Sequence, residues 1–183
     1  GYSALDWACH RGRVSIIQAL LQGGADVNSR NDINCFSALH RAACNDQAES
    51  VDALVEAGAD MEIKSNFETT PLCVAATEGK PKALLALLQK GATISAQDNE
   101  GETPLRLACR AQREGIEVVV RILLRWGADE TALDSDGNSV DGLLGNVNDG
   151  RTCPPEEIER VRLLLARAPA DRAWRRHGWL AML

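Results

Sequence analysis

The sequence predicts an all-α solenoid, in which small helix–turn–helix units stack one against the next. A phrase that begins with Gly and Ala recurs four times, as GADVN at residue 24, GADME at 58, GATIS at 91 and GADET at 127. A second phrase precedes each copy, as SALDWA at residue 3, SALHRA at 37, TPLCVA at 70 and TPLRLA at 103. Self-similarity at this period indicates an array of stacked units. Aromatic residues are only 4% of the chain, so we expect a core of Leu, Ala and Val.

The second phrase predicts the first helix of each unit. Thr70 can accept a backbone N–H bond as an N-cap, and Pro71 suits the first helical position, where its missing donor costs nothing. Ser3, Ser37 and Thr103 stand at the equivalent cap positions. Small residues on the inner face of this short helix let neighbouring backbones approach closely.

A second helix follows after a short loop, which contains Gly12, Gly79 or Gly115 in three of the units. Its apolar residues recur with the i, i+3, i+4 spacing of one buried stripe. These residues are Ile17, Leu20 and Leu21; Val51, Leu54 and Val55; Leu84, Leu87 and Leu88; and Val120, Leu123 and Leu124. The glycines at 24, 58, 91 and 127 then stand where a left-handed C-cap is wanted.

With TPLxxA, a Gly-containing loop, VxxLL and GAD in phase, the chain resembles the ankyrin repeat family over about residues 1 to 140. It carries four clear repeats and a degenerate fifth. The resemblance implies an ankyrin-repeat solenoid of stacked helix–turn–helix units with projecting β-hairpin loops. It divides a single domain, residues 1–183, into units at about 1–31 (partial), 32–64, 65–97, 98–133 and 134–168, with a C-terminal capping segment at 169–183.

Several positions depart from the family pattern. The His of the usual TPLH survives only as His40, and Asp6, Cys73 and Arg106 replace it elsewhere. Glu68 occupies the usual hairpin glycine.

Two units also differ in length or content. The stretch RAQREG (110–115) carries about three extra residues before its Gly. The fifth unit has Asp141 where Leu is expected, then inserts GNVNDGRTCPP before EEIERVRLLLARA. We interpret that last run as the fifth unit's outer helix, beginning near Pro155 and Glu156.

Charge and cysteine usage restrict the function and the compartment. The net charge is −6, and the first 150 residues hold thirteen basic against twenty-two acidic side chains, a local net charge of −9. Nucleic acid is therefore not expected as a partner. Six cysteines without a CxxC pair predict a reduced, intracellular compartment, cytoplasmic or nuclear. Because the chain starts at a Gly, we expect it to be a fragment of a larger protein.

The sequence gives no reason to expect catalysis, a metal or a cofactor. TEGKPK lacks P-loop spacing, and no nucleophile–base pair stands out. His40, Cys44 and Cys35 could be imagined as metal ligands, but His40 stands at the structural His of the repeat. LDSDGNSVDG imitates a calcium loop without the required Gly and Glu, so an Asp-rich hairpin turn is favoured.

The resemblance implies that a partner protein contacts the hairpin tips and the inner face of the short helices. Carried over by position, the contact residues are Tyr2, His10 and Arg11 in the first unit; Ile33, Asn34, Phe36, Cys44 and Asn45 in the second; Asn66, Phe67, Thr69, Thr77 and Glu78 in the third; and Asn99, Glu100, Glu102 and Arg110 in the fourth. An aromatic at a hairpin tip either anchors a partner or folds back on its neighbour. Phe36 and Phe67 are therefore the sharpest candidates, with packing of the two rings against each other as the alternative.

We expect a non-catalytic protein–protein interaction module, a scaffold or adaptor that is monomeric; the alternative is a regulatory or substrate-recruiting domain of a larger enzyme. The C-terminal ADRAWRRHGWLAML could contact a membrane or a calmodulin-type partner through residues 170–183, but a terminal cap over the last apolar face is favoured. Asn28 stands where ankyrin repeats can be substrates of asparaginyl hydroxylases, and a purely structural turn Asn is the competing interpretation.

Overall fold

The computed structural model describes residues 1–145 and 153–180, with the helical backbone alone for 170–180. Its helices are α1 (Ala4–His10), α2 (Val14–Gln22), α3 (Ala38–Cys44), α4 (Ala48–Glu56), α5 (Pro71–Thr77), α6 (Pro81–Gln89), α7 (Pro104–Ala111), α8 (Ile116–Arg125), a short 3-10 helix (Val140–Gly145) and α9 (Pro155–Leu180). The described residues contain no β-strand, and a single isolated bridge joins Arg30 to Ser37. The predicted all-α solenoid is confirmed.

The helices form two layers. Helices α1, α3, α5 and α7 pack in sequence in the inner layer, and α2, α4, α6 and α8 pack in sequence in the outer layer. The 3-10 helix continues the inner layer beside α7, and α9 continues the outer layer beside α8. Since each unit contacts only its neighbours, the stability of the array is close to a sum over unit interfaces.

The predicted caps are present. Ser3, Ser37, Thr70 and Thr103 each accept the backbone N–H three residues later. The four Gly-Ala phrases end the outer helices with left-handed glycines, whose φ angles lie between +87° and +98°. In each phrase the Ala N–H donates back into the last turn of the helix, as from Ala59 to the Leu54 carbonyl at 3.0 Å.

A second left-handed position lies nine residues after each inner-helix cap. Gly12, Asp46, Gly79 and Gln112 occupy it, with φ between +45° and +65°. In the fourth unit the extra residues therefore follow Gln112 and include Gly115, whereas the sequence interpretation placed them before that glycine. The inserted turn packs on the third unit, because a Cβ at position 79 would lie 2.8 Å from the Glu114 carbonyl oxygen.

Asp46 shows that a side chain can be useful at this left-handed position. Its Oδ1 accepts the N–H groups of Lys82 and Ala83 at 2.8 and 2.9 Å. Helix α6 has no side-chain cap of its own, so the preceding unit supplies one. The two bonds also join the second and third units.

The position of the family's His joins neighbouring units by different bonds in the second and fourth units. In the second unit, the Ser37 N–H donates to His40 Nδ1 at 3.1 Å, so His40 Nε2 bears the proton and donates to the Thr69 carbonyl at 3.0 Å. In the fourth, the fully buried Arg106 donates to the Asn138 carbonyl at 2.5 Å and to Asp134 at 2.6 Å. Both side chains join their unit to the next hairpin.

Two variable residues after the Gly-Ala phrase also connect units. Asn28 Oδ1 accepts the Asp60 N–H at 2.8 Å, and Glu62 Oε1 accepts the Thr93 N–H at 2.8 Å. The Asn28 side chain thus bonds to the following unit, while the Asn28 N–H donates to Asp26 Oδ1 at 2.9 Å within its own turn. These positions serve the stack although their residue types drift between units.

Candidate interaction surface

Buried polar side chains fix the shape of the hairpin tips. Asp98 Oδ1 accepts the N–H groups of Glu100 and Glu102, both at 2.9 Å. The half-buried Asp134 makes the equivalent pair of bonds in the fifth unit, to the N–H groups of Asp136 and Asn138. In the second unit the buried Asn31 Oδ1 accepts the N–H groups of Ile33 and Asn34. Such Asx-type turns hold a loop without a strand ladder, so the tips are ordered before any partner arrives.

Backbone bonds also fix each tip relative to the next. The Asn66 N–H donates to the Asn34 carbonyl at 3.1 Å, and the Asn99 N–H donates to the Phe67 carbonyl at 3.2 Å. The same bond recurs between the fourth and fifth units. The three asparagines expected at the surface are therefore held in line through their main chains.

Between these tips and the inner helices of the second to fourth units lies a groove of about 250 Å³. Nine of the residues expected to contact a partner line it, together with three others. The lining residues are Phe36, Cys44, Phe67, Thr69, Val74, Thr77, Glu78, Asp98, Asn99, Glu100, Leu107 and Arg110. Because three successive units contribute, the groove exists only in the stacked array.

The two phenylalanines differ in their surroundings. Phe67 is 60% exposed at the tip of the third hairpin. Phe36 is half-buried and stacks on His40, with ring centroids 4.8 Å apart and planes 16° from parallel. The aromatic contacts of the described residues do not include a Phe36–Phe67 pair. Phe67 is consequently the free aromatic of the groove, whereas Phe36 is partly committed to its own unit.

Glu102 was expected at the surface and is buried, with 3% of its area exposed. One of its oxygens lies 2.8 Å from Arg110 Nη2, and the other lies 3.6 Å from Arg106 Nη2. Burial raises the pKa of the Glu102 carboxyl, and the Arg110 charge opposes that rise. Glu100 holds the other side of Arg110 at 2.8 Å. Glu102 therefore positions Arg110 at the groove wall, with no free face of its own.

The remaining expected residues divide by exposure. Exposed are Arg11, Ile33, Asn66, Asn99, Glu100 and Arg110; half-buried are His10, Asn34, Cys44, Asn45, Thr69, Thr77 and Glu78. Asn45 donates through Nδ2 to the Arg41 carbonyl at 2.8 Å, which closes the end of α3. Burial raises the pKa of the Cys44 thiol, so Cys44 is a neutral member of the groove wall.

A second pocket, of about 220 Å³, lies at the first-unit end of the inner helices. It is lined by Tyr2, Asp6, Trp7, His10 and Arg41. Trp7 is 54% exposed and makes edge-to-face contacts with Tyr2 at 6.0 Å and with His10 at 5.8 Å. The Arg41 guanidinium carbon lies 4.1 Å from the centre of the Tyr2 ring.

Trp7 and Arg41, together with Val74 and Leu107 in the groove, were missed from the sequence. All four stand four residues after the cap of their inner helix. That shared register was the available signal, because it places one side chain per unit on the same face. The family pattern drew attention to the hairpins and to the helix ends instead.

The structure accounts for the groups that imitate metal sites. Both ring nitrogens of His40 are engaged in hydrogen bonds, and Asp134 Oδ1 accepts the N–H groups of Asp136 and Asn138. In the described part of the chain, no group of three or more His, Cys, Asp or Glu side chains could hold a metal ion.

The basic C-terminal segment is only partly described. Helix α9 begins at Pro155, as expected, and runs to Leu180. The side chains of Trp174, Trp179 and their arginine neighbours lie outside the described residues, so the capping and membrane-contact predictions for this segment remain predictions. Among the described helices, none is long and apolar enough to cross a membrane.

Fold and surface together define a class. Stacked two-helix units, hairpins aligned by backbone bonds and a groove that spans several units belong to a solenoid repeat protein. The family model described as "Ankyrin repeats (3 copies)" matches residues 39–134, and that described as "Ankyrin repeats (many copies)" matches residues 5–55. The chain belongs to the ankyrin repeat family. The family is generally non-catalytic, and its repeats make this chain a protein-interaction module.

Curated relatives place similar repeats in longer proteins. Ankyrin repeat and SOCS box protein 6 from Homo sapiens is 34% identical over 162 residues, which cover 80% of this chain and 38% of that protein. Neurogenic locus notch homolog protein 1 from Mus musculus is 32% identical over 135 residues, 73% of this chain and 5% of that protein. E3 ubiquitin-protein ligase KEG from Arabidopsis thaliana is 29% identical over 132 residues, which cover 70% of this chain and 8% of that protein. The chain thus spans less than half the length of each of these relatives.

Proposed function

We propose that this chain is a non-catalytic scaffold or adaptor module that binds a partner protein through its hairpin tips and concave inner-helix face. It acts as a monomer in the cytoplasm or nucleus and uses no cofactor. The observation that carries the proposal is the groove between the second and fourth units, with the exposed Phe67 at its rim. Truncation of a buried aromatic anchor in an interface costs about 2 kcal/mol or more of binding free energy.

The order of the hairpins supports this use of the groove. Asx-type turns shape each tip, and backbone bonds such as Asn66 to Asn34 align successive tips. A surface that is already ordered loses little conformational entropy when a partner binds. The groove combines an apolar wall at Val74 and Leu107 with a charged wall at Glu100 and Arg110, as expected for a protein interface with an apolar centre and a polar rim.

The test is affinity purification from cell lysate with wild type, Phe67→Ala and Trp126→Ala, followed by mass spectrometry. Trp126 is the matched control, because it is an aromatic with 44% exposure that follows the outer helix α8 and does not line the groove. We expect Phe67→Ala to lose specific proteins that Trp126→Ala retains. All three chains are also unfolded thermally. The midpoint of Phe67→Ala should equal that of wild type, since the Phe67 ring is mostly exposed.

Two results would count against the proposal. One is recovery of the same proteins by all three chains. The other is a clear fall in the melting temperature of Phe67→Ala with its binding intact, which would make the ring a structural element. Phe36→Ala is the less informative variant, because it removes the stack on His40 and is expected to lower stability directly.

A second candidate is a substrate-recruiting or regulatory domain of a larger enzyme. It is favoured by the likeness to E3 ubiquitin-protein ligase KEG, of which the chain covers 8%. The test is ubiquitin transfer by the full-length gene product to the proteins that the groove retains, with and without Phe67→Ala. Transfer that depends on Phe67 supports this candidate, and absence of any transfer leaves the scaffold or adaptor role.

A further inference from the structure

The guanidinium of Arg41 occupies an unusual place on the inner-helix face. Its carbon lies 4.1 Å from the centre of the Tyr2 ring and 5.6 Å from that of Phe36, both within cation–π distance. Its Nε and Nη2 atoms are buried and have no hydrogen-bond partner among the described residues. Those two atoms form one edge of the planar group, the edge that can donate two parallel bonds to a carboxylate.

No group in the first pocket supplies that carboxylate. Asp6 lines the same pocket, but its Oδ2 already accepts the Ser3 N–H at 2.8 Å and the Ser3 hydroxyl at 2.9 Å. Among the arginines of α3 and α7, which the structure describes in full, Arg106 and Arg110 each pair with two carboxylates and Arg41 pairs with none. A buried charged donor without an acceptor is costly, so a partner that satisfied it would bind favourably.

The charge along the inner-helix face differs between its two ends. Arg11 and Arg41 outnumber the one carboxylate, Asp6, at the first-unit end. At the other end the groove is lined by three carboxylates and one cation, namely Glu78, Asp98, Glu100 and Arg110. Charge complementarity of this kind selects the orientation of a partner more than it adds affinity. It directs the acidic part of a bound chain towards Arg41.

We infer that the Nε–Nη2 edge of Arg41 receives the carboxylate of an Asp or Glu side chain from an acidic peptide segment of the partner. Because both atoms are buried, entry of the carboxylate requires a side chain of the pocket to move, and we assign that movement to Tyr2, which is 44% exposed and lies over the guanidinium. Trp7, 54% exposed, offers a wall for the neighbouring peptide residues. The inference rests on the proposed function, because it assigns one end of the same binding face. It adds the requirement that the partner carries a carboxylate where it meets Arg41.

The test uses three fluorescent libraries of short degenerate peptides, with a fixed central Glu, Gln or phosphoserine, retained on the immobilised chain. We expect wild type to retain the Glu library roughly tenfold better than the Gln library, the ratio given by one bidentate charge-assisted pair. Arg41→Gln should abolish the preference. Arg41→Lys should lose most of it, because lysine keeps the charge without the planar fork.

Arg167→Gln is the matched control, since it removes an exposed arginine from α9 and should leave the preference unchanged. Equal retention of the Glu and Gln libraries by wild type, or a preference that survives Arg41→Gln, would overturn the inference. Stronger retention of the phosphoserine library would overturn the carboxylate assignment in favour of a phosphate. If Phe67→Ala lowers retention of the Glu and Gln libraries alike while Arg41→Gln changes nothing, the proposed function stands and this inference falls. Retention no better than on bare resin would count against both.

Discussion

Replacing His40 by cysteine should change how stability depends on pH. Cysteine is what this chain itself uses at the equivalent position of the third unit, so the change imports a residue the fold accepts. Burial is the main cause that lowers the pKa of His40 from 6.5 to about 4, and the charges of Arg30 and Arg41 contribute. In structural terms, a proton on Nδ1 would face the Ser37 N–H that now donates to it.

The sign and size of the effect follow from that shift. Because the folded-state pKa lies below the unfolded-state value, the unfolded chain binds the proton first as the pH falls. The stability that the neutral His40 contributes is complete above about pH 6.5 and is lost as the pH falls towards 4. Each pH unit between the two pKa values changes the free energy of unfolding by about 1.4 kcal/mol, so wild type should lose about 3 kcal/mol of it over this range through His40 alone. His40→Cys should lack this loss, although at pH 7.5 it should be about 2 kcal/mol less stable, because the hydrogen bonds of the imidazole to Ser37 and Thr69 are gone.

The assay is urea unfolding followed by circular dichroism at several pH values from 7.5 to 4, on wild type, His40→Cys and His10→Cys. The carboxylates titrate in all three chains, so only the difference between the curves carries the prediction. His10→Cys makes the same exchange at a partly exposed residue and is the matched control for it. If the free energy of unfolding of wild type and of His40→Cys changed with pH in parallel, the buried neutral imidazole would not be the group that makes the fold sensitive to acid, and the reasoning would be refuted.

Three further variants test the turns by thermal and urea unfolding. Gly79→Ala should cost at least about 1 kcal/mol more than Gly91→Ala: both glycines have positive φ, which costs other residues about 1–2 kcal/mol, but only a Cβ at 79 meets a backbone oxygen, at 2.8 Å. Equal losses would show that the inserted turn yields freely. Glu68→Gly should stabilise by about 0.5 kcal/mol, because φ of +56° is strained for Glu and its ion pair with Lys64 is exposed; a loss of stability would contradict that strain. Asp46→Ala should cost about 1–2 kcal/mol by removing the cap of α6, and an unchanged midpoint would show that the cap is dispensable.

The sequence could predict the scaffold because each unit repeats the same local chemistry. Thr70 and Pro71 begin a helix, and Gly91 ends one, whatever lies around them, so caps and helix ends were found where expected. A fourfold repeat of such signals fixes the stacking as well, since the apolar stripe of one helix has only the neighbouring unit to pack against.

The details of the surface depend on contacts between units and could not be predicted in the same way. Arg106 is buried because Asp134, twenty-eight residues later in the chain, reaches it from the next hairpin. Glu102 is buried because that arginine and Arg110 hold it. Because charged residues are usually exposed, the sequence predicts that these side chains lie at the surface. The ion pairs that allow them to be buried are formed between units and appear only in the packed array. The same holds for Phe67, whose ring is exposed while the Phe36 ring stacks on His40 instead of on Phe67.

The close approach between Gly79 and the Glu114 carbonyl ties the residue choice in one unit to the length of the turn in the next. At the equivalent position of the second unit the chain carries Asp46, and the turn that follows in the next unit has no inserted residues. A Cβ at position 79 would press on the lengthened fourth-unit turn, so the glycine and the insertion constrain each other. Among related arrays we therefore expect a lengthened turn to be accompanied by glycine in the preceding unit.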